Sequence, residues 1–139
     1  MEIRDLEYVI DAHTNRTKLP EGRVRRFDGK TPYWNHLLWC ATMISHETAL
    51  PEEIRRDGSL ALLYHDIIED TKASFPRWLS ERVIFLVNGM TFESSEDEWE
   101  NIWKRDKVIR LLKIYDKTSN LMDGTYMEPS RIEQHKLHL

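Results

Sequence analysis

The chain has a single cysteine, Cys40, so no internal disulfide framework holds it together and a reducing cytoplasm is the expected compartment. Glycine and proline number five each, and no repeat or low-complexity segment appears. No apolar run approaches the length of a membrane span and no signal-peptide pattern marks the N-terminus, so no membrane partner is expected. Positive charge is not in excess. Twenty Lys and Arg face 24 Asp and Glu, a formal net of −4, and no global field favours nucleic acid. What remains is the profile of a soluble globular protein: 40% hydrophobic, 32% charged, and 139 residues, enough for one domain with one core.

Helical periodicity runs through almost every segment. Ile3, Leu6, Val9 and Ile10 form a stripe in the first. Residues 14–30 break the period; they are basic, hold Pro20, Gly22 and Gly29, and read as a loop. A second helix restarts at "TPYWNHLLWCATMISHE", with Thr31 as N-cap and Pro32 in its first turn. A third opens at Pro51, Glu52 and Glu53, and a fourth, "FPRWLSERVIFLVNGMT", stops near Gly89. The longest spans 94–122, with Ser95 and Glu98 as a capping box, and a last amphipathic piece begins near Pro129. No two-residue alternation of useful length competes, so the expectation is an all-α domain of about six helices.

The stretch "LALLYHDIIEDT", residues 60–71, places one imidazole and three carboxylates in an otherwise apolar run. Buried charge costs several kcal/mol unless it is paired or bound to a metal. Helical spacing aims three such groups inward. His36 shares a stripe with Cys40, Met43 and Ile44; His65 follows Ala61 and Leu62; Asp116 follows Val108, Ile109 and Leu112. A lone inward histidine is ordinarily a satisfied core residue, and a lone buried aspartate ordinarily bonds backbone. His36, His65, Asp66 and Asp116 together would instead concentrate charge that a divalent cation relieves. Two imidazoles and two carboxylates suit Mn²⁺, Fe²⁺, Co²⁺ or Zn²⁺.

These residues, "H…HD…D", resemble the signature of HD-domain metal-dependent phosphohydrolases. "RRFDGKTPYWNH", "ALLYHDIIEDT", "LVNGMT" and "LLKIYDKTSNL" are similar, in order, to hydrolase motifs of the RelA/SpoT alarmone enzymes, most of all their stand-alone small hydrolases. The likeness covers residues 23–124 and continues more weakly to the end. It implies a compact helical bundle, one Mn²⁺, and removal of the 3′-pyrophosphate from guanosine 3′,5′-bis(diphosphate). By the same resemblance His36, His65, Asp66 and Asp116 are the metal ligands and Glu69 and Asp70 the catalytic pair. Glu69 lies one turn beyond His65 if that helix continues, and a carboxylate there suits orienting water or taking its proton.

The resemblance also assigns nucleotide contacts: Arg25 and Arg26 to base and phosphates, Lys113 three residues before the ligand Asp116, Asn120 to the nucleotide, and Lys136 on the final helix. Guanidinium groups stack on bases and fork onto phosphates. Lys104 and Arg105 are further basic candidates for the diphosphate. Three positions depart from the family pattern. Met122 stands where an arginine is frequent, Phe92 follows "GMT" in place of a basic residue, and the final aromatic would fall past Leu139, as in a C-terminally shortened chain. Two other readings therefore stay open: an HD nucleotidase acting on another nucleotide, and a nucleotide-binding sensor of low turnover. Trp34, Trp39, Trp78, Trp99 and Trp103 read as packing residues, "ESSEDEWE" as a solvated helix start, and His13, His46, His135 and His138 carry no assigned role.

Overall fold

A computed structural model describes residues 1–124; Lys136 and the piece expected from Pro129 lie outside the described residues. The described residues are helical: α1 (Ile3–Asn15), α2 (Trp34–Ser45), α3 (Glu52–Tyr64), a single turn α4 (Ile67–Asp70), α5 (Glu81–Met90), α6 (Ser95–Asn101) and α7 (Lys107–Met122). Among them extended structure amounts to two isolated bridges, Thr17 with Thr71 and Val24 with Pro32, which tie the 16–33 loop to itself and to the end of α4. None of the described helices is long and apolar enough to cross a membrane.

The all-α expectation holds, with different boundaries. The longest helix is two. The Asp106 carboxylate accepts from the Val108 and Ile109 amides, capping a new helix and ending the old one in a 3-10 turn at Ile102–Lys104. α6 is capped by Ser94, not by Ser95, through the Asp97 amide. Thr31 is not the cap of α2; its hydroxyl donates to Asp28, and the helix starts at Trp34. α5 begins only at Glu81, where Ser80 accepts from the Val83 amide. It passes through Gly89 to Met90. A methyl at Gly89 would lie 2.2 Å from Ile109 Cδ1, so the glycine admits α7 rather than stopping α5.

α2, α3, α5 and α7 pack together around Leu37, Cys40, Ile44, Leu62, Leu86 and Leu112, and α1 lies across α2, α3 and α4. Of the expected apolar stripes, Ile3 and Met43 are the outliers, at 74% and 46% exposed. The tryptophans divide: Trp34 and Trp39 pack on the core, whereas Trp103 is 59% exposed. Trp78, also partly open, donates from Nε1 to buried Asp5, which accepts the Tyr64 hydroxyl as well. Burial pushes the Asp5 carboxyl up, but its amide, indole and phenol donors outweigh that and hold its pKa below the usual value. This packing brings the first turn of α2, the end of α3 and the middle of α7 to one buried point.

Candidate active site

His36 of α2, His65 at the end of α3 and Asp116 of α7 meet there, 3%, 4% and 6% exposed, with one candidate ligand atom from each within 4.8 Å of the others. Asp116 Oδ1 is the shared point, 3.1 Å from His36 Nε2 and 3.3 Å from His65 Nε2. Asp66, in the link between α3 and α4, sets Oδ2 3.1 Å from His65 Nε2. Three of the four expected ligands thus form a tight triad, and Asp66 joins it through His65. The helix does not run on from His65 to Glu69 as expected: α3 ends at Tyr64, and Asp66, at φ −100° and ψ 4°, starts the separate turn α4.

Hydrogen bonding around His65 shows what the triad can hold. Its Nδ1 lies 2.7 Å from the Leu62 carbonyl oxygen, which only accepts, so Nδ1 carries the proton. Nε2 of the neutral ring then turns a lone pair toward two carboxylate oxygens, and no described residue gives this buried nitrogen a well-formed hydrogen bond. Acceptors that converge in this way need a cation among them. A proton meets part of that need: burial disfavours a charged His65, yet Asp66 and Asp116 outweigh it and raise its pKa well above the usual value. In return, burial pushes both carboxyls up, but charged His65 pulls them below the usual range. A divalent cation would take the place of that proton on the same donors, a mixed N/O set. His36 is anchored likewise, its Nδ1 2.7 Å from Ser119 Oγ, which leaves Nε2 facing Asp116.

Glu69 and Asp70 lie beside the triad and line a cavity of about 780 Å³ whose other walls include Lys18, Leu19, Arg26 and Tyr33. Burial and the Asp66 charge push the pKa of Glu69 up, and burial, Asp66 and Glu69 push that of Asp70 up to about 7. A carboxyl near 7, as at Asp70, exchanges protons at neutral pH. Of the expected nucleotide contacts, Arg26 lines this cavity and is exposed. Arg25 does not line it. Its guanidinium, 5% exposed, donates to Asp123 Oδ2 at 2.8 Å and to Asn120 Oδ1 at 3.1 Å, and lies over the Tyr33 ring. Asn120 in turn donates to Asp116 Oδ1 at 3.3 Å. Of the two further basic candidates, Lys104 is exposed, and Arg105 donates to the Gly89 carbonyl and covers Phe92.

Lys113 is buried, with Nζ 3.4 Å from Asp116 Oδ2 and 2.8 Å from Glu98 Oε1. Glu98 also pairs with Lys117. The acidic run at 93–100 is therefore not wholly a solvated helix start: Glu98 turns inward at 9% exposed and joins α6 to α7. Burial resists charge on Glu98 and on Lys113, but the partners prevail. Lys113 and Lys117 lower the acid, while Asp116 and Glu98 raise Lys113. In the sequence reading Glu98 has a capping role, and Tyr33, Ser119 and Asp123 have no site role. Tyr33 and Ser119 each lie three residues along the chain from a member of the triad, the one signal that pointed to them.

No protein-family model matches the chain. Two curated proteins are similar to it. The guanosine-3′,5′-bis(diphosphate) 3′-pyrophosphohydrolase MESH1 of Drosophila melanogaster is 32% identical over 109 residues, 71% of this chain and 59% of that protein. MESH1 of Danio rerio is 30% identical over 134 residues, 87% of this chain and 67% of that protein. The matched region thus spans less than two thirds of the fly protein. A solved structure of a metazoan ortholog of SpoT that hydrolyzes ppGpp and plays a role in starvation responses matches with a TM-score of 0.70 and 29% identity, over 98% of this chain and 79% of that one. With this helical order around a His-His-Asp triad, the chain belongs to the MESH1 family of SpoT-like HD-domain proteins.

Proposed function

We propose that the chain is a metal-dependent hydrolase that removes the 3′-pyrophosphate of guanosine 3′,5′-bis(diphosphate) or its pentaphosphate counterpart, leaving GDP or GTP. The observation that carries this reading is the convergence of His36, His65 and Asp116, with His65 Nε2 held between two carboxylates, beside the Glu69-Asp70 pair on the cavity wall. In the reading, His36, His65, Asp66 and Asp116 hold the cation, with Mn²⁺ as the metal and the cytoplasm as the compartment. A divalent ion so held supplies a lowered pKa for water and screening of phosphate charge. Glu69, the more open of the catalytic pair, takes the proton of the attacking water, and Asp70 shares it. The water oxygen goes to phosphorus, the bond from phosphorus to the ribose 3′ oxygen breaks, and that oxygen leaves as a hydroxyl by taking up the proton that Glu69 and Asp70 accepted from the water. Arg26 faces the phosphates or base from the cavity wall. Lys113 neutralises charge beside Asp116, and Arg25 and Asn120 orient the nucleoside. Lys136 is assigned to the nucleotide on the family resemblance alone. Positioning of this kind accounts for much of the rate in phosphate chemistry.

One observation favours a second substrate. Arg25 is turned onto Asp123 and Asn120 rather than into the cavity, so the base contact differs from an open guanidinium platform. One assay separates the two readings. The Mn²⁺-loaded full chain is incubated with a panel of 3′-pyrophosphorylated and simple nucleotides, and the released product is identified. Pyrophosphate from the guanosine tetraphosphate is expected. An intact 3′-pyrophosphate alongside cleavage of simple nucleoside phosphates would move the assignment to a general HD nucleotidase.

A further inference from the structure

His13 of α1 is fully buried, and neither ring nitrogen has a hydrogen-bond partner among the described residues. Burial holds the His13 pKa down to about 4 against the opposing charge of Asp66, so the ring is neutral at neutral pH. What the ring does touch is specific. It stacks on Tyr33, centroids 5.2 Å apart and planes inclined by 20°. Tyr33 is a hub: its edge meets His36 at 5.8 Å, Arg25 lies over it, and its hydroxyl donates to Asp66 Oδ2 at 2.6 Å. That hydroxyl stays protonated, because burial and then Asp66 raise its pKa well above the usual value.

We propose that His13 is a positioning residue for the metal centre: its ring face fixes Tyr33, and the Tyr33 hydroxyl fixes the carboxylate of Asp66. The inference rests on the reading of Asp66 as a metal ligand. Asp66 needs such support more than the others do. It sits in the link between α3 and α4, outside any helix, and only one of its oxygens approaches His65. Partners of a ligand that set its orientation commonly change metal affinity by about 10–100-fold when removed. The contact shown is the ring face and not the nitrogens, so another flat ring serves in its place.

The test challenges the Mn²⁺-loaded full chain with graded chelator and measures the metal retained by elemental analysis. Tyr33→Phe and His13→Ala are each expected to lose metal at about 10-fold less chelator. His13→Phe retains metal like the parent. The double variant His13→Ala/Tyr33→Phe is no weaker than Tyr33→Phe alone, because both changes break one chain of contacts. Where His13→Ala does not fold, His13→Leu, which fills the volume without a flat face, is read in its place. Full retention by His13→Ala or His13→Leu overturns the proposal. So do losses that multiply in the double variant, or a His13→Phe as weak as His13→Ala. Asp66→Asn separates this inference from the one beneath it: full metal retention there defeats the ligand reading itself, while loss there with none in the His13 and Tyr33 variants defeats only the positioning role.

Discussion

Glu98→Ala is the substitution whose effect the structure most sharply distinguishes from its neighbours'. Glu98 is 9% exposed and holds two lysines that are each 8% exposed. Removing one partner of a buried pair costs about 3–5 kcal/mol, because the other charge stays desolvated. Lys113 keeps Asp116 at 3.4 Å and is partly compensated, whereas Lys117 loses the carboxylate it pairs with. That places the loss near the lower bound, about 3 kcal/mol. For a chain of this size, this is on the order of 10 °C in melting temperature. Glu96→Ala, exposed in the same acidic run, is the control and is expected within about 0.5 kcal/mol of the parent. The assay is thermal unfolding followed by far-UV circular dichroism, at low and at high salt, since a buried pair is screened far less than a surface one. The pH dependence has a definite sign. The native Glu98 pKa is lowered, so its contribution is full above the ordinary glutamate value near 4.5 and is lost as pH falls through the native value. The gap between parent and Glu98→Ala therefore closes in acid. Melting of Glu98→Ala within about 0.5 kcal/mol of Glu96→Ala at pH 7 would refute the buried network.

Three further outcomes follow from the same geometry. Excess chelator is expected to lower the melting temperature of the metal-loaded chain, because a ligand bound only by the native state stabilises it; superimposed melting curves with and without chelator would count against a metal centre. Glu69→Gln is expected to keep its metal and lose roughly 100-fold or more in kcat, and metal lost in parallel with activity would make Glu69 a ligand instead of a proton carrier. Ser119→Ala removes the partner of His36 Nδ1 and is expected to weaken metal binding about 10-fold, read by titrating chelator; an unchanged affinity would show that α2 alone orients the ring.

How much of this was legible in the sequence depended on whether a residue's role is set by its own helix or by a neighbouring one. Inward spacing located His36, His65 and Asp116, because each sits on an apolar face that the fold was bound to bury. Asp66 was legible only as the neighbour of His65. Its place outside the triad depends on the break between α3 and α4, and no glycine or proline marks that break. Glu98 was misread with its acidic neighbours because its partners are 15 and 19 positions on, in a helix whose start is set by the Asp106 cap. His13 gave no signal at all. Its ring partner among the described residues, Tyr33, lies across the irregular segment at 16–33, and nothing in that segment's composition fixes which residues it returns to α1.

The arrangement of α7 links the His-His-Asp triad to Arg25, the two sides that the proposed reading gives to metal and nucleotide. Lys113, Asp116, Asn120 and Asp123 recur at intervals of three, four and three, so they share one face and span about 15 Å of helix at 1.5 Å per residue. Along that face Lys113 meets Glu98, Asp116 meets both histidines, Asn120 reaches back to Asp116, and Asn120 and Asp123 hold Arg25. In the proposed reading, a nucleotide that engages Arg25 competes with the Asp123 carboxylate, and Arg25 is hydrogen-bonded to Asn120, itself a partner of Asp116 Oδ1, the oxygen that faces both histidines. Met122 lies off this face and is 60% exposed, so exchanging the family's arginine for it leaves the chain of contacts untouched. In the proposed reading, substrate preference would follow how readily Arg25 leaves Asp123, while the cation would be held by His36, His65, Asp66 and Asp116, which the Met122 exchange does not touch.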